Sequence, residues 1–352
     1  TTWRTATGTV RVVDLMPPRA EVAAVVRIVE GIEGSVEMRS DLRLRFDYGR
    51  IAPWITQRPG SVRAVAGPDA VLLRSDVDQQ VHDGDVSADV VVAAGDRVSF
   101  VLVHAVSYGS EPDEIDADVA LAATAELWTS WSDRIQDETR WPDAVRRSLL
   151  LLKALTDAPT GGIVAAATTS LPELIGGERN WDYRYCWLRD ASFTLEALVG
   201  SGCLEEARAW RSWLLRAVAG DPADLQIMYG LDGRRRLTEE TLDWLPGYEG
   251  SAPVRLGNAA STQLQLDVWG EVLDALHRAR EAGLGVDEEA WAVQRALVDH
   301  LCLTWRAPDN GLWEMRGPRR HFVHSKVLAW TGVDRMVRAV EKHGLDGPVE
   351  HW

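Results

Sequence analysis

Hydrophobic and polar positions alternate along the first hundred residues. Val36, Met38, Leu42, Leu44 and Phe46 share one side of an extended chain, with Arg43 and Arg45 between the last three and Asp47 after them, which is the period of two expected of half-buried strands. Strands are predicted over 9–15, 22–30, 36–47, 70–74, 86–93 and 97–105. Turn chemistry separates them at Thr7-Gly8, Gly31 to Gly34, Pro59-Gly60, Gly67-Pro68, Asp83-Gly84 and Gly95-Asp96. Such runs pack most naturally as an antiparallel sandwich.

The period then changes. Leu264, Val268, Val272 and Leu276 recur every fourth residue, as do Val293, Leu297, Leu301 and Trp305, giving helices with one apolar stripe each. Helices are predicted over 142–157, 187–201, 204–219, 259–282, 287–306 and 325–343, after a connecting helix over 119–134. Asp287 can cap one of them, and Gly202, Gly220 and Gly283 stand where helices should stop. The helix carrying Leu149 to Leu152 is apolar nearly all round and is expected inside. Ser110 to Asp118, acidic and holding Pro112, reads as a solvated linker. The pattern divides the chain into a β-sandwich domain over 1–110, a linker with connecting helix over 111–137, and a helical domain over 138–352.

Composition narrows the partners. At 352 residues and 46% hydrophobic the chain can bury two cores. A net charge of −15 disfavours nucleic acid and anionic membrane surfaces, and no apolar run reaches membrane-spanning length. Cys186, Cys203 and Cys302 lack the spacing of a disulfide framework or a zinc site, so reduced thiols and no metal are expected. No GxGxxG or Walker-type loop implies a nucleotide, so no cofactor is expected. The opening TTWRTATGTV has neither a signal-peptide core nor an initiator Met; it reads as a cut end, with a cytoplasmic location expected. No sequence feature specifies an oligomeric state. His82 and His104 are isolated and read as surface or core histidines rather than ligands.

The chemistry concentrates between Glu178 and Ser192, where acids, bases and four aromatics run directly into an apolar helix. Arg189 and Asp190 sit at the start of that helix, and Trp181, Tyr183, Tyr185 and Trp187 offer flat faces beside them. Flat faces next to fixed polar groups suit a sugar, whose ring has C–H patches on its faces and hydroxyls on its rim. The same residues also read as a structural Arg–Asp pair packed among aromatics. Sixteen Trp against six Tyr and four Phe favours stacking platforms slightly, although most are expected in the core.

The run ERNWDYRYCWLRDASFTL at 178–195 resembles the signature of glycoside hydrolase family fifteen, the glucoamylase-like enzymes that include trehalases of actinobacterial type. TGGIVAAATTSLPE at 160–173, LPGYEGSAPVRLGNAA at 245–260, DNGLWEMRG at 309–317 and HFVHSKVLAW at 321–330 follow the same order. The resemblance implies an N-terminal β-supersandwich, a linker helix and an (α/α)6 barrel, here about half complete. It implies an inverting, exo-acting α-glucoside hydrolase acting on an oligosaccharide or disaccharide of glucose. Inversion requires one carboxylic acid and one carboxylate base. By resemblance Glu314 is the acid, with Trp313 walling and desolvating it; an exposed glutamate paired with Arg316 or Arg319 is the bland alternative. Tyr183, Trp187, Arg189 and Asp190 match the family residues that hold the terminal glucose. Trp244, Tyr248 and Arg255, in the loop 241–258, are candidates for the rim or leaving-group side, Trp181 is a further substrate-binding candidate, and His324 and Lys326 are candidates for orienting Glu314. Asp182, Glu178 and Asp309 lie near the motifs, yet none matches the family's base, which is expected beyond Trp352. The chain therefore reads as a fragment, and little hydrolysis is expected of it alone. An inverting phosphorylase, or a non-catalytic glycan-binding fragment, remains as an alternative reading.

Overall fold

The computed structural model describes residues 1–18, 22–135, 139–168, 171–285 and 287–352. They form two compact units, Thr1–Asp133 and Arg134–Trp352. The boundary expected at 137/138, and Thr169 and Ser170 of the 160–173 motif, lie outside the described residues.

The first unit is an antiparallel sheet followed by a helix. Its strands are β1 (Thr2–Arg4), β2 (Gly8–Leu15), β3 (Ala23–Arg43), β4 (Trp54–Arg58), β5 (Ser61–Ala66), β6 (Asp69–Ser75), β7 (Gln80–His82), β8 (Asp85–Ala93) and β9 (Arg97–Val106), and its helix is α1 (Ala117–Asp133). The order is β1-β2-β3-β9-β6-β5-β4, with β8 on β3 and β7 on β8. The turn expected at Gly31 to Gly34 is absent, because both flanking runs belong to the single 21-residue β3. Its first half pairs with β9 and its second with β8. Gly31 is there for proximity: a Cβ on it would lie 1.8 Å from the Ala93 carbonyl oxygen, so only glycine admits that backbone. Alternation along β3 sends Ala24, Val26 and Ile28 into a cluster with Val101, Val103 and Ala120 of α1. Val29 and Val36 join Val62, Val86 and Phe100 in another. The β4–β5 hairpin had no predicted counterpart, since β5 buries Val62 among the small Ala64 and Ala66, too weak an apolar signal. His104 is exposed, with Nε2 2.9 Å from Asp69.

The second unit holds α2 (Pro142–Ala154), β10 (Tyr185–Trp187), α3 (Leu188–Gly200), α4 (Leu204–Ala217), β11 (Met228–Gly230), β12 (Glu240–Thr241), β13 (Arg255–Leu256), α5 (Asp267–Glu281), α6 (Glu288–Thr304) and α7 (Val323–His343). With α1, seven α-helices are present among the described residues. The core gathers Leu188, Leu195, Trp210, Trp213, Tyr229, Trp269, Leu301 and Met336. Helix α5 lies between α3 and α7. It meets α7 backbone to backbone, because a Cβ on Gly270 would sit 2.0 Å from the Leu328 carbonyl oxygen. Asp287 caps α6 as expected, accepting from Ala290 N at 2.6 Å.

Two expectations fail. Helix α2 is one-sided: Leu149 is buried but Leu151 is 54% exposed, as successive helical residues point ~100° apart. The helix predicted over 259–282 begins only at Asp267, after a 3-10 turn over Ala259–Thr262 and an extended Gln263. The three cysteines are unpaired, and no helix among the described residues is long and apolar enough to cross a membrane.

Candidate active site

The site is built where β10 passes into α3. Strand β10 pairs with β11, with Cys186 opposite Tyr229 and Trp187 opposite Met228, and Leu188 N donates to the Ile227 carbonyl at 3.0 Å. Trp187 is the extended residue just before α3. Its indole is therefore aimed from a paired strand end, and Nε1 donates to Glu314 Oε1 at 2.7 Å. Tyr183 lies beside it, ring centroids 5.6 Å apart.

Arg189 and Asp190 are adjacent on the first turn of α3 and so point in different directions. Arg189 turns inward: Nη1 donates to Gln265 Oε1 at 2.8 Å and Asp267 Oδ2 at 3.0 Å, and Nη2 donates to the Leu312 carbonyl at 3.3 Å. Nη2 also stands 3.7 Å from Glu314 Oε1. Asp190 is exposed, and its carboxyl accepts from its own backbone amide. Although the residue opens to solvent, its carboxyl is ringed by enough protein to push its pKa up, against the pull of Arg189. Arg189 thus serves mainly to hold the site together, while the Asp190 carboxyl opens to solvent.

Glu314 lies in the loop between α6 and α7. Burial raises its pKa; the Trp187 hydrogen bond and Arg189 oppose the rise, and Asp190 adds to it. A raised carboxyl keeps its proton to higher pH, the property a general acid needs. Its backbone has φ +54°, unfavourable for a residue with a side chain. Trp187 does the covering expected of Trp313, which is itself 79% exposed. Trp187→Phe removes the bond that favours the ionised form, so the Glu314 pKa is expected to climb further; carboxyl ¹³C titration reads it, and a fall would contradict the geometry.

The other candidates separate. Two guanidiniums lie over the Trp181 ring, Arg255 at 4.6 Å and Arg316 at 4.5 Å from its centroid, and both arginines pair with Glu239. The ring is engaged by protein rather than offered to a ligand. Its Nε1 donates to Glu173, as does Tyr183 Oη at 3.4 Å. Arg255 also donates to the carbonyls of Glu178 and Asn180, fastening the 245–258 loop to the motif. Tyr248 and Trp244 are exposed at the surface. Asp182 is structural: Arg184, Tyr185 and the Gly257 amide donate to it, and despite burial these bonds hold its pKa below the ordinary range. Asp309 is fully buried and accepts from Leu266 N at 2.9 Å. Lys326 does not orient Glu314. Its Nζ donates to the carbonyls of Trp305 and Ala307, each at 2.6 Å, closing the end of α6. His324 lies near Asp267 and Glu271, at 3.9 and 4.0 Å.

Sequence reasoning missed Gln263, Gln265, Asp267 and Glu271. The signal was present as the alternation Gln-Leu-Gln-Leu-Asp over 263–267, but the helical period of the next fifteen residues masked it. Two concavities of this unit, about 360 and 440 Å³, lie along α6 and α7; Lys326 lines both, and none of Trp187, Arg189, Asp190 or Glu314 lines either.

Residues 140–352 match the profile of Glycosyl hydrolases family 15, and the chain belongs to that family. Curated relatives include a trehalase of Mycolicibacterium smegmatis, 35% identical over 340 residues, covering 93% of this chain and 51% of the relative. Trehalase 2 of Sulfolobus acidocaldarius is 37% identical over 249 residues, 69% of this chain and 42% of the relative. An isomaltose glucohydrolase of Kribbella flavida is 32% identical over 149 residues, 39% and 35% of the two chains. The chain spans about half the length of the first of these relatives.

Proposed function

We propose that this chain carries the general acid and the glucose-holding residues of an inverting α-glucoside hydrolase whose substrate is trehalose. The observation that carries the reading is Glu314: a carboxyl with raised pKa, bonded to Trp187 and faced by Arg189, near the open acceptor Asp190. Glu314 protonates the departing glycosidic oxygen. Asp190 accepts from sugar hydroxyls, and Tyr183 and Trp187 form the wall.

The second carboxylate is proposed to lie outside residues 1–352. In this chain Asp267 is spent on Arg189, Asp182 on Arg184 and Asp309 on the Leu266 amide. The two units are proposed to be the β-supersandwich and the first part of an (α/α)6 barrel. Trehalose is preferred among glucosides because the trehalases match over far more of this chain than the isomaltose glucohydrolase does.

The test is a panel of trehalose, maltose and isomaltose, with and without phosphate, on this chain and on a protein extended beyond Trp352. Expected is glucose release from trehalose by the longer protein, with α- and β-glucose in equal amounts as the first products by NMR, the inverted glucose β and the departing one α, and little from the chain alone. Glucose 1-phosphate formed only with phosphate would replace the hydrolase by a phosphorylase. Sugar binding without turnover in the longer protein would reduce the role to glycan binding.

A further inference from the structure

Glu314 holds an unfavourable backbone conformation, at φ +54°, left-handed geometry that a residue with a Cβ rarely adopts. The turn bond from the Glu314 amide to the Gly311 carbonyl, 3.1 Å, is part of what holds it there. Three carbonyls of its loop accept from side chains: Leu312 from Arg189 at 3.3 Å, Glu314 from Gln263 Nε2 at 3.1 Å, and Met315 from Asn310 at 3.5 Å. Among the side chains of the described residues only Gln263 holds the acid's own carbonyl.

Gln263 is in turn held. Its Oε1 accepts from Gln265 Nε2 at 3.1 Å, and Gln265 Oε1 accepts from Arg189 Nη1 at 2.8 Å. All three bonds donate in one direction, from guanidinium to Glu314 carbonyl. Neither amide can turn over without setting nitrogen against nitrogen or oxygen against oxygen, and Gln265 is fully buried, where an unmet polar group is costly. The segment supplies the alignment: Gln263 is extended, so residues 263 and 265 share a side. Between them, Leu264 exchanges two bonds with Asn310, at 2.8 and 3.2 Å. Bonds chained this way polarise one another, and the charged end strengthens the series.

We propose that Gln265 and Gln263 form a directional relay through which Arg189 sets the backbone of Glu314, with Gln263 the positioning residue of the acid. This rests on the reading of Glu314 as the acid, and its test can fail separately from that reading. The probe is solvent exchange of the Trp187 indole N–H, bonded to Glu314, followed by ¹H–¹⁵N NMR in this chain. Trp213, whose Nε1 donates to Leu231 at 2.7 Å, is the internal control.

In Gln263→Ala, and in the isosteric Gln263→Glu, which loses the donor but little volume, Trp187 exchange is expected to quicken about tenfold while Trp213 stays within about twofold. The neighbouring exposed Thr262→Ala is expected to change neither. Where a longer protein turns over trehalose, Gln263→Ala is expected to lower kcat about 10- to 100-fold with KM nearly unchanged. Unchanged Trp187 exchange in both Gln263 variants would overturn the relay, as would equal quickening of Trp213. Trehalose is also expected to slow Trp187 exchange in the wild type; no effect there would count against the sugar reading and leave the relay standing on the exchange data.

Discussion

Glu314→Gln is expected to lower trehalose turnover by about 10²–10⁴-fold, the usual worth of a positioned acid, with sugar affinity little altered. The amide keeps the shape and can still accept from Trp187, so the 2.7 Å contact survives in the variant. What is lost is the transferable proton. The pH profile should change as well: in the wild type burial raises the Glu314 pKa, so the alkaline limb of kcat is expected to follow loss of that proton. In the variant the residual rate should lose that limb. The measurement is kcat and KM for trehalose against pH in the extended protein. Retention of more than about a tenth of the activity, with the alkaline limb intact, would remove Glu314 from the acid's role.

The second large effect concerns stability. Glu271 on α5 is 5% exposed, and burial, with Asp267 adding to it, pushes its pKa up to about 7. Below pH ~4.5 the group is protonated in folded and unfolded chains alike and contributes no difference. As pH rises toward about 7 the unfolded chain gives up this proton first, so stability falls across that window and the full penalty is present above it. A shift of this size corresponds to a penalty on the order of 3 kcal/mol. Glu271→Gln, close in shape to the protonated acid, should match the wild type near pH 4 and exceed its stability by that order near pH 8. Urea unfolding at both pH values checks it; a wild-type-to-variant difference that is flat with pH would refute the buried-proton account.

Glu271 also shows where sequence reading loses sight of a site. In the sequence it is one acid on an amphipathic helix, three residues before Asp274 and four after Asp267, and such acids normally face water. Its burial follows from α5 lying between α3 and α7, a fact of packing. Trp181 and Trp313 err the other way. Both sit in motifs and look like stacking platforms, yet one ring is covered by two guanidiniums and the other projects into solvent. Arg255, in β13, and Arg316, in the loop before α7, lie far along the chain from Trp181, so no local pattern announces that they converge on it. Lys326 likewise reads as a partner for the acid two turns before it becomes a cap for α6.

By itself the sequence determined the change from period two to period four, most of the helices and strands those periods imply, the Asp287 cap, and the motifs that hold Glu314 and the Arg189–Asp190 pair. Those are local properties, written by neighbouring side chains on one element. Only the tertiary structure decided that Trp187, 127 residues from Glu314, covers its carboxyl, that Arg189 turns inward while Asp190 opens outward, and that two glutamines link that arginine to the acid's backbone. The physical reason is that a hydrogen bond or a desolvated carboxyl depends on which distant groups fill the space around it, and sequence periodicity records which face is buried but not what it is buried against.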